Sequence, residues 1–154
     1  MFDIATIRKQ LREYRLRFEI WYARRNRLGA RGEHAAARYL RWSKRMYIIE
    51  ASARNIYGEI DIIAADRKKT KVVFVEVKTR KSHDTGHPAE AVTPDKQKRI
   101  TRIALAYLKR NNLLDSVSAQ FDVVAVTWPD GQRKPKIEHY ESAFDAVGEY
   151  QMFS

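Results

Sequence analysis

Asp61, Glu76 and Lys78 carry charge into stretches that are otherwise apolar. Asp61 stands in Gly58-Glu59-Ile60-Asp61-Ile62-Ile63, and the other two in Val72-Val73-Phe74-Val75-Glu76-Val77-Lys78-Thr79. Strand side chains alternate from face to face, so Glu76 and Lys78 leave one side while Val75 and Val77 leave the other. Charge buried among Val and Phe is costly unless something pairs with it. A divalent metal and a phosphate are partners that would offset that cost.

The chemistry these residue types suit is phosphodiester hydrolysis. That reaction needs a metal to polarise the phosphate and help ionise water, carboxylates to hold it, and a cation for the charge that grows on the phosphorane. Mg²⁺ (or Mn²⁺) is satisfied by a few carboxylates plus waters and substrate oxygens. Asp61 and Glu76 supply the carboxylates, the Val77 carbonyl a further oxygen, and Lys78 a compact charge on a flexible stem. Adjacent strands lie only ~4.8 Å apart, so paired strands would bring both acids to one ion. The competing reading is a structural ion pair in which Lys78 neutralises one acid.

The elements that must position these residues are legible from pattern. Residues 46–53, 59–65 and 71–79 read as strands, with Asp66-Arg67-Lys68-Lys69-Thr70 a hairpin connection. Residues 33–44 read as a helix, separated by a bend at Leu28-Gly29-Ala30-Arg31-Gly32 from a long helix over 3–27. A further helix starts at Thr93 as N-cap with Pro94 at its first position, and buries Ile100, Ile103, Ala104, Tyr107 and Leu108. Lys96, four residues before Ile100, falls on its inward side. Residues 120–128 and 136–140 read as strands and the segment from about 142 as a C-terminal helix. The expected fold is α/β, a mixed β-sheet flanked by helices.

The net charge of +11 is unevenly placed: residues 1–45 carry 13 Lys+Arg against 4 Asp+Glu. Such asymmetry points to a polyanion, above all nucleic acid, with a solvated charged helix as the alternative. Ile4, Ile7, Leu11, Tyr14, Phe18 and Trp21 form a heptad seam flanked by arginines, so residues 1–27 read as a basic amphipathic arm and 28–154 as the main domain. The absence of cysteine excludes disulfides and thiolate metal sites. No apolar run approaches the ~18 residues of a membrane span, and the N-terminus has no signal-peptide pattern. A cytoplasmic address without membrane partners is expected.

Several weaker candidates accompany the core set. Arg80 and Lys81 are phosphate contacts or parts of a solvated turn. Glu59 is a solvated or supporting acid, and Asp122 either a strand-end acid paired with Arg102 or an amide, or a catalytic group. His34, His83, His87 and His139 show no metal-ligand spacing.

With those residues in view, the Asp-x14-Glu-x-Lys pattern resembles the PD-(D/E)XK nuclease superfamily, with Ile60 in place of the proline. More specifically, the chain is similar to the YraN-like family (UPF0102) over about residues 28–128. The likeness rests on Gly32-Glu33 with Ala36 and Tyr39-Leu40, Gly58 to Asp61, Phe74 to Lys78, Ala91-Val92-Thr93 with Lys96, and Phe121 to Val124. It implies a restriction-endonuclease-like core akin to archaeal Holliday-junction resolvases, with an extra N-terminal basic helix here. By that likeness Glu33 is a third active-site and metal-binding acid, and Lys96 a further cation near the phosphate. Lys78, Arg80, Lys81, Lys96 and Arg54 become the expected nucleic-acid contacts. The resemblance thus implies a metal-dependent endonuclease acting on branched or damaged DNA, compatible by analogy with a homodimer. The alternative is a weakly active or silent nucleic-acid-binding or assembly module on a nuclease-like core. The chain departs from the family in its arm, in Ser52 before Arg54, and in Gln120 before Phe121.

Overall fold

Long runs of β-branched residues and two amphipathic helices build a mixed five-stranded sheet with one helix on each face. The computed structural model describes residues 28–82 and 92–148. The proposed arm over 1–27, His83 and His87 lie outside the described residues. In chain order the elements are α1 (Leu28–Trp42), β1 (Tyr47–Asn55), β2 (Gly58–Ala65), β3 (Lys71–Arg80), α2 (Pro94–Arg110), β4 (Ser118–Thr127) and β5 (Lys136–Tyr140). The strand order is β1-β2-β3-β4-β5. All neighbours pair antiparallel except β3 and β4, which run parallel. A parallel pair needs a crossover connection, and α2 supplies it.

The strands bury both faces. Ala36, Ala37 and Leu40 of α1 pack on Ile48, Ile62, Val73, Val75, Val77, Val124 and Val126. Ile100, Ile103, Ala104 and Leu108 of α2 pack on Ile60, Ile63, Val72, Phe74, Phe121 and Val123. Each fully buried Ile, Leu or Phe contributes about 1.5–3 kcal/mol. Asp66 closes the β2–β3 hairpin by accepting the Thr70 and Lys71 amides, each at 2.8 Å.

Two expectations need correction. Residues 28–32 are not a bend: they belong to α1. Gly32 is there for contact, because a Cβ at that position would stand 1.8 Å from Thr79 Oγ1. A side chain is therefore excluded where α1 touches the end of β3. The second correction concerns the C-terminus. Residues 141–148 are irregular, with Ser142 at φ 50° and Gly148 at φ 94°. Their amides go to β4 and α2 instead: Ser142 to Asp122, Ala143 to the Phe121 carbonyl, Val147 to Thr101 Oγ1. Phe144 stacks on Phe121 at 5.1 Å, so packing on the sheet replaces the helical ladder.

Candidate active site

The site forms where the regular pleat fails. Alternation should put Ile60 and Ile62 on one face, yet Ile62 packs on the α1 side and Ile60 on the α2 side. Their β1 partners do the same: Ala51 opposite Ile62 lies with α1, and Ala53 opposite Ile60 with α2. Between them stand Ser52 and Asp61. Ser52 has φ 49°, a left-handed conformation uncommon for a residue with a side chain. The sheet is thus kinked at the position of the acid, and the simple alternation that would align Glu59 with Asp61 does not hold.

On its other edge Asp61 replaces a backbone partner. The β2–β3 ladder runs from Ala65–Val72 to Ile62–Val75. The next β3 amide, Val77 N–H, donates to Asp61 Oδ2 at 2.7 Å. In an extended strand a residue's N–H and C=O leave on the same side, so the Val77 carbonyl also faces this seam.

β3 keeps strict alternation through the site. Val73, Val75 and Val77 pack under α1, while Glu76 and Lys78 follow Val72 and Phe74 onto the α2 side. Glu76 is 4% exposed. Its Oε1 takes the Lys78 ammonium at 3.0 Å and also the ammonium of Lys96 from the first turn of α2. Lys96 is placed there by its cap: Thr93 accepts the Lys96 amide at 3.4 Å and Pro94 opens the helix. Glu33 comes from α1, where Ser52 Oγ donates to its Oε2 at 3.3 Å.

Electrostatics bind these groups into one unit. Burial first, then the Glu76 carboxylate and the more weakly felt Glu33, push the Asp61 carboxyl up to about 8, against the pull of Val77 N–H and Lys96. Burial works against the Lys78 charge, but Glu76 outweighs it and holds the ammonium above its ordinary pKa. The Asp61 carboxyl thus holds its proton above its ordinary range chiefly because it is buried, with the neighbouring acids adding to the effect.

The donor set suits a hard divalent cation bound openly. Among the described residues no three His, Cys, Asp or Glu side chains are gathered closely enough to hold a metal ion. A closed cage is therefore not on offer, but Mg²⁺ keeps several waters and takes only one or two carboxylates. Asp61, Glu76 and the Val77 carbonyl match that demand, with Glu33 alongside.

The structure thus brings together Glu33, Asp61, Glu76, Val77, Lys78 and Lys96. Arg54 instead pairs with Glu59 at 2.6 Å, and Lys81 with Asp130 at 3.0 Å. Exposed pairs like these are worth only about 0–1 kcal/mol and can be exchanged for phosphate. Arg80 ends β3 and is half-buried. Asp122 stands apart on the α1 side, fully buried, taking Gln120 Nε2, His139 Nε2 and the Ser142 amide at 2.7–2.9 Å. It pins β5 and the C-terminal segment, while Arg102 is on α2 across the sheet. Sequence reasoning missed Ser52 as the donor to Glu33. The signal was a Ser between two Ala in β1, opposite the acid.

Comparison with known proteins shows the family of the chain. The family described as "Uncharacterised protein family UPF0102" matches residues 32–126. A UPF0102 protein of Rhodopirellula baltica is 52% identical over 79% of this chain and 72% of its own length. One from Geobacter sulfurreducens is 49% identical over 77% of this chain and 88% of its own. One from Rhodococcus opacus is 47% identical over 76% and 95%. The solved structure of SfsA from Pyrococcus furiosus in complex with Ca²⁺ is a far weaker match. Its TM-score is 0.33 at 14% identity, over 73% of this chain and 61% of that one, below the level at which a shared fold can be argued.

Proposed function

This chain belongs to the UPF0102 family, and from that premise and the geometry of its acidic seam we propose that it is a metal-dependent endonuclease hydrolysing DNA phosphodiester bonds. One observation carries the reading. Asp61 and Glu76 meet at an opened strand seam beside Lys78 and Lys96, and burial first, then the Glu76 charge, pushes the Asp61 carboxyl up to about 8. A cation bound there would favour the ionised form of Asp61.

A bound Mg²⁺ or Mn²⁺ would polarise the scissile phosphate and make water a better nucleophile. Asp61, Glu76 and the Val77 carbonyl would hold it, with Glu33 nearby on the α1 side. Val77 N–H holds the Asp61 side chain in place at the seam. Lys78 and Lys96 both rest on Glu76. Their ammonium groups stand beside the acids, where they would orient the nucleophile and stabilise the charge of the transition state. Lys81 and Arg54 exchange exposed carboxylates for backbone phosphates. Branched or damaged DNA is the substrate class that the resemblance to junction resolvases implies.

The test is cleavage of linear, nicked and four-way-junction DNA by the full chain with Mg²⁺, with Mn²⁺ and with chelator. We expect metal-dependent cleavage that Asp61→Ala removes by more than about 100-fold while DNA affinity is retained. Tight binding of these substrates without any cleavage would overturn the proposal and leave a nucleic-acid-binding or assembly module.

A further inference from the structure

The β1–β2 hairpin ends in a two-residue turn, with Asn55 paired to Gly58 and Ile56-Tyr57 between them. Such turns are ordinarily built from Gly, Asn and Asp, which hydrate well. Here the two corner positions hold an isoleucine that is 91% exposed and a tyrosine that is 44% exposed. Gly58 takes the positive φ, 137°, so that Ile56 and Tyr57 keep ordinary backbone angles. An isoleucine in water gains nothing for the fold, and the turn would close as well with polar residues.

The tip is held firmly. Asn55 Nδ2 donates to the Ile103 carbonyl of α2 at 3.2 Å, and Asn55 Oδ1 accepts the Tyr57 amide at 2.9 Å. A Cβ on Gly58 would lie 3.3 Å from Arg99 Cδ, so the turn sits against α2. Lys98, Arg99 and Arg102 on that helix are exposed, as is Arg54 on β1. The tip is also near the acidic seam. Gly58 precedes Asp61 by three strand residues, about 10 Å. Lys96 precedes Ile103 by seven helical residues, also about 10 Å.

We propose that Ile56 and Tyr57 form a wedge that enters a loosened base step of DNA while the neighbouring arginines and lysine hold the flanking phosphates. The inference rests on the nucleic-acid reading of the site and deepens it, by naming what selects the substrate. Isoleucine is one of the side chains that proteins insert between base pairs, and an aromatic ring offers a stacking face to an exposed base. The cations make DNA the partner of this surface rather than another apolar protein face, since phosphate is what they complement. Unstacking is least costly where pairing is already broken, so the wedge selects branched or damaged sites. The spacing of about 10 Å then sets the cut a nucleotide or two from the distortion.

The experiment uses the full chain in chelator, a four-way junction with 2-aminopurine at the branch, and a duplex of the same sequence. The wild type should bind the junction about tenfold or more tighter than the duplex and raise the 2-aminopurine fluorescence. Joint Ile56→Ser and Tyr57→Ser substitution should remove that rise and weaken junction binding by about 10- to 100-fold, with duplex binding within about twofold. Joint Ile56→Leu and Tyr57→Phe substitution, which keeps an apolar tip, should preserve both. A fluorescence rise that survives the serine substitutions overturns the wedge. So does a flat signal in the wild type with self-association that the serines abolish, which would make the tip a contact between copies. The two proposals fail separately: a wild type that cuts DNA but leaves the fluorescence flat loses the wedge alone, and one that unstacks the branch but never cuts loses only the hydrolytic reading.

Discussion

Asp61 is buried at the seam beside Glu76, and that placement has a consequence for pH. Its carboxyl, ordinarily near 3.8, is pushed up to about 8. The folded chain therefore keeps a proton that the unfolded chain releases. The stability attached to Asp61 is fully present below its unfolded value and is lost as pH rises through about 8. We expect the chain in chelator to lose thermal stability between about pH 5 and about pH 9. Asp61→Asn should flatten that fall, leaving the variant about 1–3 kcal/mol more stable than the wild type at the alkaline end. Mg²⁺ should restore the wild type there and leave Asp61→Asn unchanged. Melting curves across this range, with chelator and with Mg²⁺, decide it; parallel profiles for the two proteins would show that Asp61 does not carry the excess negative charge. The identities of Asp61, Glu76 and Lys78 were legible in the sequence because charge in an apolar run has few explanations. The kink was not, since period-2 reasoning assumes the pleat that Ser52 and Asp61 interrupt.

The elements that frame the site meet at Gly32 and Thr79. A methyl group at Gly32 would collide with Thr79 Oγ1 at 1.8 Å and with Thr79 Cβ and Cγ2 at 2.8 Å. α1 would have to lift from the end of β3, carrying Glu33 with it. Gly32→Ala should cost about 1–3 kcal/mol by overpacking, despite the better helix propensity of alanine. Thr79→Ala on that background should recover part of the loss. A double-mutant cycle by urea unfolding measures the coupling, and purely additive effects would mean that the two residues do not share this contact. Local signals served well where one residue dictates one geometry: Thr93-Pro94 marked the start of α2 and thereby placed Lys96. They misled at residues 28–32, where two glycines resemble a break but one of them serves a tertiary contact. They misled again after residue 141, where amides find partners on β4 that only the folded sheet supplies. Helix propensity could not anticipate either, because in both cases packing overrides it.

At the scale of the whole molecule, nearly half of the net charge belongs to a segment that contributes no residue to the site. The chain carries +11, and residues 1–27 alone have 8 Lys+Arg against 3 Asp+Glu. None of the six residues gathered at the seam belongs to that segment. Non-specific hold on DNA and chemistry at the seam should therefore be separable. Removing one cation from the phosphates lowers the slope of log affinity against log salt by about 0.9 for duplex DNA. If half of the arm's cations touch phosphate, deleting residues 1–27 should reduce that slope by roughly 3 to 4 units and weaken binding most at low salt. Cleavage at saturating DNA should change little, because the seam is intact. Titrations of duplex DNA at several salt concentrations, paired with single-turnover cleavage, measure both quantities. The heptad seam from Ile4 to Trp21 offers the opposing outcome. Should the slope stay constant while sedimentation shows a smaller assembly, the arm joins copies of the chain and the phosphate grip belongs to the body. In that case the exposed pairs Arg54–Glu59 and Lys81–Asp130 become its first components, since they can change carboxylate for phosphate at little cost.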